Sequence, residues 1–248
     1  MPKTRKVKRI DAGPMTRIIT YTQVFPREKP EQRAAKEKAT DAAHQRMNDK
    51  YSYEKLEERL YCNFTSADYV VTLTYDDAHQ LTRWKYIRAT INRFLKRLRY
   101  ARKKRGEDLR YIYVTEGLHG DHRAHHHIVL NAPGPGIDIM EELRACWHEG
   151  SVIKAERLEM LSLGALSKYL TKEPVEKGRA FKGNRAWNAS RNLKAPTVTY
   201  DFVDIGKIPF APPGAHVVVA ESVKTENGFG SFTHLKYIRT QDETGNKQ

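Results

Sequence analysis

His125 and His127 stand two residues apart in the run Ala124-His-His-His-Ile-Val-Leu130. Side chains alternate along a β-strand, so both imidazoles project from one face, where they can share an ion, while His126 points the other way. Glu116 closes an earlier β-branched and aromatic run, Arg110-Tyr-Ile-Tyr-Val-Thr-Glu116, and shares a face with Ile112 and Val114. If the two runs pair as an antiparallel hairpin across residues 117–123, Glu116 comes opposite or diagonal to both histidines. Two imidazoles and one carboxylate with open coordination positions suit Mn²⁺, Mg²⁺ or Zn²⁺, and the sequence does not choose among them. The plainer alternative is a surface cluster: His119, His122, His125, His126 and His127 crowd nine residues and would bind metal only incidentally.

A second group with reactive potential lies downstream. Tyr169 and Lys172 are three residues apart in a segment whose pattern predicts a helix over Leu161–Lys172, so they share a helical face. Ionising a tyrosine hydroxyl of pKa about 10 at pH 7 costs on the order of 4 kcal/mol, which a neighbouring cation offsets. A phenolate attacking phosphorus would leave a covalent phosphotyrosine and conserve the phosphodiester energy for rejoining. The commoner role of a helical tyrosine is packing, with its hydroxyl at the core edge.

The surrounding pattern supplies elements to position these groups. Asp68–Tyr75 reads as a strand with Tyr69, Val71, Leu73 and Tyr75 on one face. Leu81, Trp84, Ile87, Ile91, Phe94, Leu95 and Leu98 then recur every three or four residues, one stripe of a long helix. Arg102–Arg105 load its last turn with cations, favourable against the helix dipole. Asp138–Trp147 predicts a shorter helix, Val152–Lys154 a short strand, and residues 28–60 an exposed charged helix or helix pair interrupted near Asn48. From Thr197 the chain turns β again, with an Asn227-Gly228 turn between Val217–Val223 and Phe232–Ile238. The central order of strand, helix, strand, strand, helix, helix predicts an α+β fold with an antiparallel sheet. The expected organisation is a basic arm and charged helical region (1–60), a central α+β domain (61–175), and a basic segment with a β-rich C-terminal extension (176–248).

Charge narrows the class of partner. Of 248 residues, 44 are Lys or Arg and 30 are Asp or Glu, a net charge of +14. Residues 1–10, 83–110 and 172–194 carry net charges of +5, +10 and +5, so the rest of the chain is at −6. An excess so concentrated points to a polyanion, of which nucleic acid is the commonest. Lys177, Arg179, Lys182, Arg185 and Arg191 are candidates to track phosphates, and Trp187 among them is a candidate stacking group. No apolar run approaches a membrane span, and two widely separated cysteines, Cys62 and Cys146, fit a reducing, cytoplasmic setting.

Taken in order, these pieces resemble the HUH endonucleases, and within them the rolling-circle replication initiators of small phages and plasmids. Val71-Thr-Leu-Thr-Tyr-Asp76 is similar to the first motif strand; Glu116-Gly followed by Arg123-Ala-His-His-His-Ile-Val-Leu130 to the second. Cys146-Trp-His-Glu-Gly150, a strand, then Ser167-Lys-Tyr-Leu-Thr-Lys172 are similar to the third, and Asn63-Phe64 and Ser190–Pro196 extend the likeness over roughly residues 50–200. The resemblance implies a central five-stranded antiparallel sheet with flanking helices, of the HUH, ferredoxin-like type. It implies metal ligation by His125, His127 and Glu116, a divalent ion (Mn²⁺ or Mg²⁺), Tyr169 as nucleophile and Lys172 as its assistant. The implied activity is nicking and rejoining of single-stranded origin DNA through a 5′-phosphotyrosine, with a host polymerase and helicase as partners in a prokaryotic cytoplasm. Two departures stand out. His126 occupies a position usually bulky and hydrophobic, where burial would keep it neutral, and Ala165, four residues before Tyr169, leaves a single tyrosine. A relaxase or single-tyrosine transposase shares this chemistry, and a non-catalytic nucleic-acid-binding protein with a structural metal shares the composition.

Overall fold

A computed structural model describes residues 4–21, 40–79, 81, 83–120, 123–150, 153–177, 185–204, 207, 209–224 and 231–239. In chain order the elements are β1 (Thr4–Ala12), β2 (Met15–Tyr21), α1 (Thr40–Asn63), β3 (Tyr69–Thr74), α2 (Trp84–Lys104), β4 (Tyr111–Glu116) and β5 (His125–Leu130). There follow α3 (Ile139–Cys146), β6 (Ile153–Arg157), α4 (Leu163–Leu170), α5 (Lys172–Glu176), β7 (Asn188–Ala189), β8 (Thr197–Asp204), β9 (His216–Lys224) and β10 (Ser231–Ile238). The fold is α+β, with two antiparallel five-stranded sheets.

The chain divides into two compact units, Asp49–Leu193 and a unit built from both ends, Met1–Asn48 with Lys194–Gln248. This differs from a sequential division into 1–60, 61–175 and 176–248. Residues 4–12, expected as a basic arm, are strand β1, paired with β2 on one side and β8 on the other. The terminal sheet runs β8-β1-β2-β10-β9. On one of its faces Ile18, Leu235 and Tyr237 are buried, with Val7, Ala211 and Ala215 packed on them. The Asn227-Gly228 turn lies outside the described residues.

The central unit holds the sheet β6-β3-β5-β4-β7. Alternation along its strands sorts the side chains as expected. Val71, Leu73 and Tyr75, with Tyr111, Tyr113, Ile128 and Leu130, pack on Ile87, Ile91, Phe94, Leu95 and Leu98 of α2 and on Leu143, Cys146 and Trp147. α2 carries one apolar stripe and a cationic remainder, the pattern of a helix that buries one face. α3 is capped by Asp138, whose carboxylate accepts from the Glu141 amide at 2.9 Å.

Two local expectations change. Of the helix and the helix pair expected as exposed, α1 forms the single helix, unbroken through Asn48, but Leu56, Leu60 and Tyr61 near its C-terminal end are buried, with the Tyr61 hydroxyl donating to the Met160 carbonyl at 2.9 Å. The helix expected over Leu161–Lys172 ends at Leu170, and a new short helix starts at Lys172. Arg102, one of the cations that load the last turn of α2, is completely buried. It pairs with Glu142 of α3 at 2.8 Å and donates to the Asn131 carbonyl at 2.7 Å. A buried arginine is tolerated only where its donors are met, and Glu142 meets them on the helix that α2 packs against.

Removing one member of such a pair leaves an uncompensated buried charge. Glu142→Ala is therefore expected to lower stability by about 3–5 kcal/mol in urea unfolding, whereas joint replacement of Arg102 and Glu142 by Met and Leu costs much less.

Candidate active site

The site is assembled by strand register. β4 pairs with β5 so that Glu116 faces His125 and Val114 faces His127. β3, on the other side of β5, sets Thr74 beside His125 and Thr72 beside His127. Glu116, His125 and His127 thus emerge on one face, as alternation requires. Their candidate ligand atoms all lie within 4.8 Å of one another. The Glu116 Oε2 is 3.3 Å from His125 Nε2 and 3.8 Å from His127 Nε2.

Each imidazole has its Nδ1 engaged elsewhere. His125 Nδ1 donates to the Arg123 carbonyl at 3.1 Å, and His127 Nδ1 lies 3.1 Å from the Thr72 hydroxyl. Such partners fix the ring and turn Nε2 toward the cluster. His127 Nε2 is buried and has no hydrogen-bond partner. A buried ring nitrogen without a partner, beside a carboxylate and a second imidazole, fits a divalent cation, and these three residues could hold one. The same surroundings move the titrations. The hydrogen bond to Glu116 raises His125 above the usual histidine value despite burial. His127 is lowered, chiefly by burial.

His126 points into the opposite layer, completely buried. Its Nε2 lies 2.8 Å from the Tyr75 hydroxyl and its Nδ1 2.9 Å from the Thr115 hydroxyl, and it makes edge contacts with the rings of Tyr75 and Trp147. Burial pushes its pKa down to about 3, so it is neutral.

Tyr169 sits on α4 with its ring 5.3 Å from that of His127, inclined at 70°. The side chain is 50% exposed, so one edge meets the cluster and the other meets solvent. Burial and the Glu116 charge raise the phenol above its ordinary value, while Lys154 draws it down. Lys172 is exposed and begins α5, beyond the break at Thr171, so it does not share a helix with Tyr169.

Three contributors went unrecognised in the sequence. Thr72 was readable in principle, because alternation on β3 places it on this face. Lys154 was not: it joins the row Val114, His127, Thr72 only through the pairing of β6 with β3. Glu173, on α5 and almost wholly buried, accepts from the Gly117 amide at 2.8 Å and so ties down the loop just after Glu116. Gly117 adopts φ 78°, and a Cβ there would stand 2.7 Å from the Arg123 carbonyl, so the tight exit from β4 needs glycine.

The remaining sequence candidates are spread out. Lys177, Arg185 and Arg191 are exposed, and Arg191 lines a cavity of about 620 Å³ together with Arg99 and Lys103. Trp187 is half-buried, its indole N–H donating to the Ser52 carbonyl at 3.3 Å, so it is tied to α1 along one edge. Arg179, Lys182 and His122 lie outside the described residues.

With this geometry in place, comparison with known proteins gives one family. Residues 68–174, which span β3 to α5 and so include the whole cluster and Tyr169, match the family model of the replication-associated protein ORF2/G2P. The match is consistent with a Rep-type replication initiator, and such a role implies binding to DNA. No curated protein and no solved structure matches the chain. Among the described residues, no helix is long and apolar enough to cross a membrane.

His126 supplies a test of how the two faces divide. His126→Leu fills the space but removes one partner from each of the Tyr75 and Thr115 hydroxyls, so it is expected to lower stability by roughly 1–3 kcal/mol in urea unfolding. Because the ring lies on the other side of the strand, the nuclear magnetic resonance signals of His125 and His127 should move little.

Proposed function

We propose that the protein initiates rolling-circle replication of a phage or plasmid by nicking and rejoining single-stranded DNA, with a divalent metal at Glu116, His125 and His127 and with Tyr169 as nucleophile. The observation that carries this reading is the ring contact between Tyr169 and His127, which brings a half-exposed phenol beside three potential ligands. A bound divalent ion supplies Lewis-acid polarisation of a phosphoryl oxygen.

The side chains account for the rest. Tyr169 Oη forms the new bond to phosphorus while the bond to the 3′ oxygen breaks. The phenol proton leaves, the 3′ oxygen gains one, and the products are a 5′-phosphotyrosine and a free 3′-hydroxyl that a host polymerase can extend. The reverse attack by a 3′-hydroxyl restores the phosphodiester and frees the tyrosine. Glu116 opposes ionisation of Tyr169 only while its charge is uncompensated, so a cation held by Glu116 removes that opposition. Lys154, and not only Lys172, then offers positive charge to the phenolate or to the phosphoryl oxygens. Thr72 and the Arg123 carbonyl hold the two imidazoles in the tautomers that present Nε2. A single strand fits better than a duplex, since its flexible backbone can bring a phosphate to the recessed cluster.

The test is to incubate the protein with Mn²⁺ and a pool of single-stranded oligonucleotides, then digest any denaturant-resistant adduct for mass spectrometry. The nucleotide is expected on the peptide containing Tyr169. Tyr169→Phe should form no adduct yet retain Mn²⁺ and DNA binding, and DNA on a different peptide would overturn the assignment. His125→Ala or His127→Ala should abolish cleavage while leaving most DNA affinity.

Two further variants separate the supporting residues. Thr72→Val, nearly isosteric, is expected to weaken Mn²⁺ binding by about 10–100-fold in calorimetry. Lys154→Ala should slow adduct formation at saturating DNA more than Lys172→Ala does. Equal effects, or a larger one from Lys172, would return the assisting role to Lys172.

A further inference from the structure

The second face of the terminal sheet is buried at one end, where Ile10, Ala12, Met15, Arg17 and Ile238 lie, and is open at the other, along the edge strand β8. The opposite face is filled by Ile18, Leu235 and Tyr237 with Val7, Ala211 and Ala215. On the second face, register sets Phe202, Lys6, Tyr21 and Phe232 in one row across β8, β1, β2 and β10. The adjoining row places Tyr200 beside Lys8. Tyr200 is 59% exposed and Phe202 66% exposed, both large rings on an edge strand, and Lys6 Nζ stands 5.1 Å from the centroid of the Tyr200 ring.

Two exposed aromatic rings, two residues apart on a strand and flanked by lysines, form a surface with a definite chemistry. Ring faces stack on any base, and lysines beside them meet the phosphates between bases. A contact with a second copy of the chain is the other use for exposed rings on an edge strand, but the core of a protein interface is depleted in lysine. A duplex hides its base faces. We propose that the open end of this face, along β8, binds single-stranded DNA, with Tyr200 and Phe202 as stacking groups and Lys6 and Lys8 as phosphate contacts. The inference rests on the reading of the protein as one that acts on single-stranded DNA, and gives that reading a second point of attachment remote in sequence from Tyr169.

The experiment uses the full chain and fluorescence anisotropy with labelled oligothymidine and with a duplex of equal length. Tyr200→Ala with Phe202→Ala is expected to weaken oligothymidine binding at least tenfold and to leave the thermal midpoint unchanged, because both rings are exposed. Tyr200→Phe with Phe202→Tyr should restore wild-type affinity. Lys6→Gln with Lys8→Gln should flatten the dependence of log affinity on log salt by about 0.7 for each lysine. Adduct formation on Tyr169 is measured in parallel at saturating DNA. Unchanged oligothymidine affinity in the double alanine variant, with adduct formation intact, overturns this inference and leaves the nicking reading standing. Lost affinity in that variant, with no adduct in the wild type, supports the inference and sinks the nicking reading. A wild-type dimer in sedimentation that the alanine variant dissociates at unchanged DNA affinity makes the face a contact between copies and overturns the inference.

Discussion

The pairing of β4 with β5 in one register governs what the central unit can do. With Glu116 opposite His125, the two-residue repeat of a strand sends Glu116, His125 and His127 to one face and His126 to the other. A slip of one residue would exchange the faces, burying two imidazoles among aromatic rings and moving the carboxylate away from them. The register is held from both sides. The face that carries His126 is sealed by α2 and α3, and Gly117 with Glu173 fixes where β4 ends.

Three consecutive histidines therefore have unlike environments. His126 is locked by two hydroxyls and desolvation into a neutral packing residue. His125 and His127, each with Nδ1 committed to a neighbour, face Glu116 through Nε2. The proximity of Tyr169 follows from the same sheet, because α4 brings the phenol over His127. A match to a replication-associated family over residues 68–174 covers these elements and stops short of the terminal unit.

Positive charge is used in different ways along the chain. Arg102 is consumed in a buried pair that joins α2 to α3 and has no surface to offer. Lys6 lies over an aromatic ring in the terminal sheet, although composition alone would assign it to a free basic arm. The formal charge of residues 83–110, which include Arg102, thus overstates what that stretch presents to a polyanion.

Much of the central unit was legible in the sequence, because its signals are local. Alternation in β3, β4 and β5 and the apolar stripe of α2 need no partner to be recognised, and strand phase alone separated His126 from its neighbours. Strand phase and pairing likewise grouped Glu116 with His125 and His127, and the family resemblance added Tyr169. Tertiary structure decided the remainder. Lys154 reaches the row of His127 only when β6 pairs with β3, a contact across more than eighty residues. Residues 4–12 become a strand because β2 and β8 flank them, although their lysine-rich composition reads as an arm. Lys172 leaves the helix of Tyr169 because the chain turns at Thr171, whose hydroxyl bonds back to the Ser167 carbonyl. Periodicity along one segment reports which face a side chain takes, but which distant segment meets that face is set by burial and pairing across the whole fold.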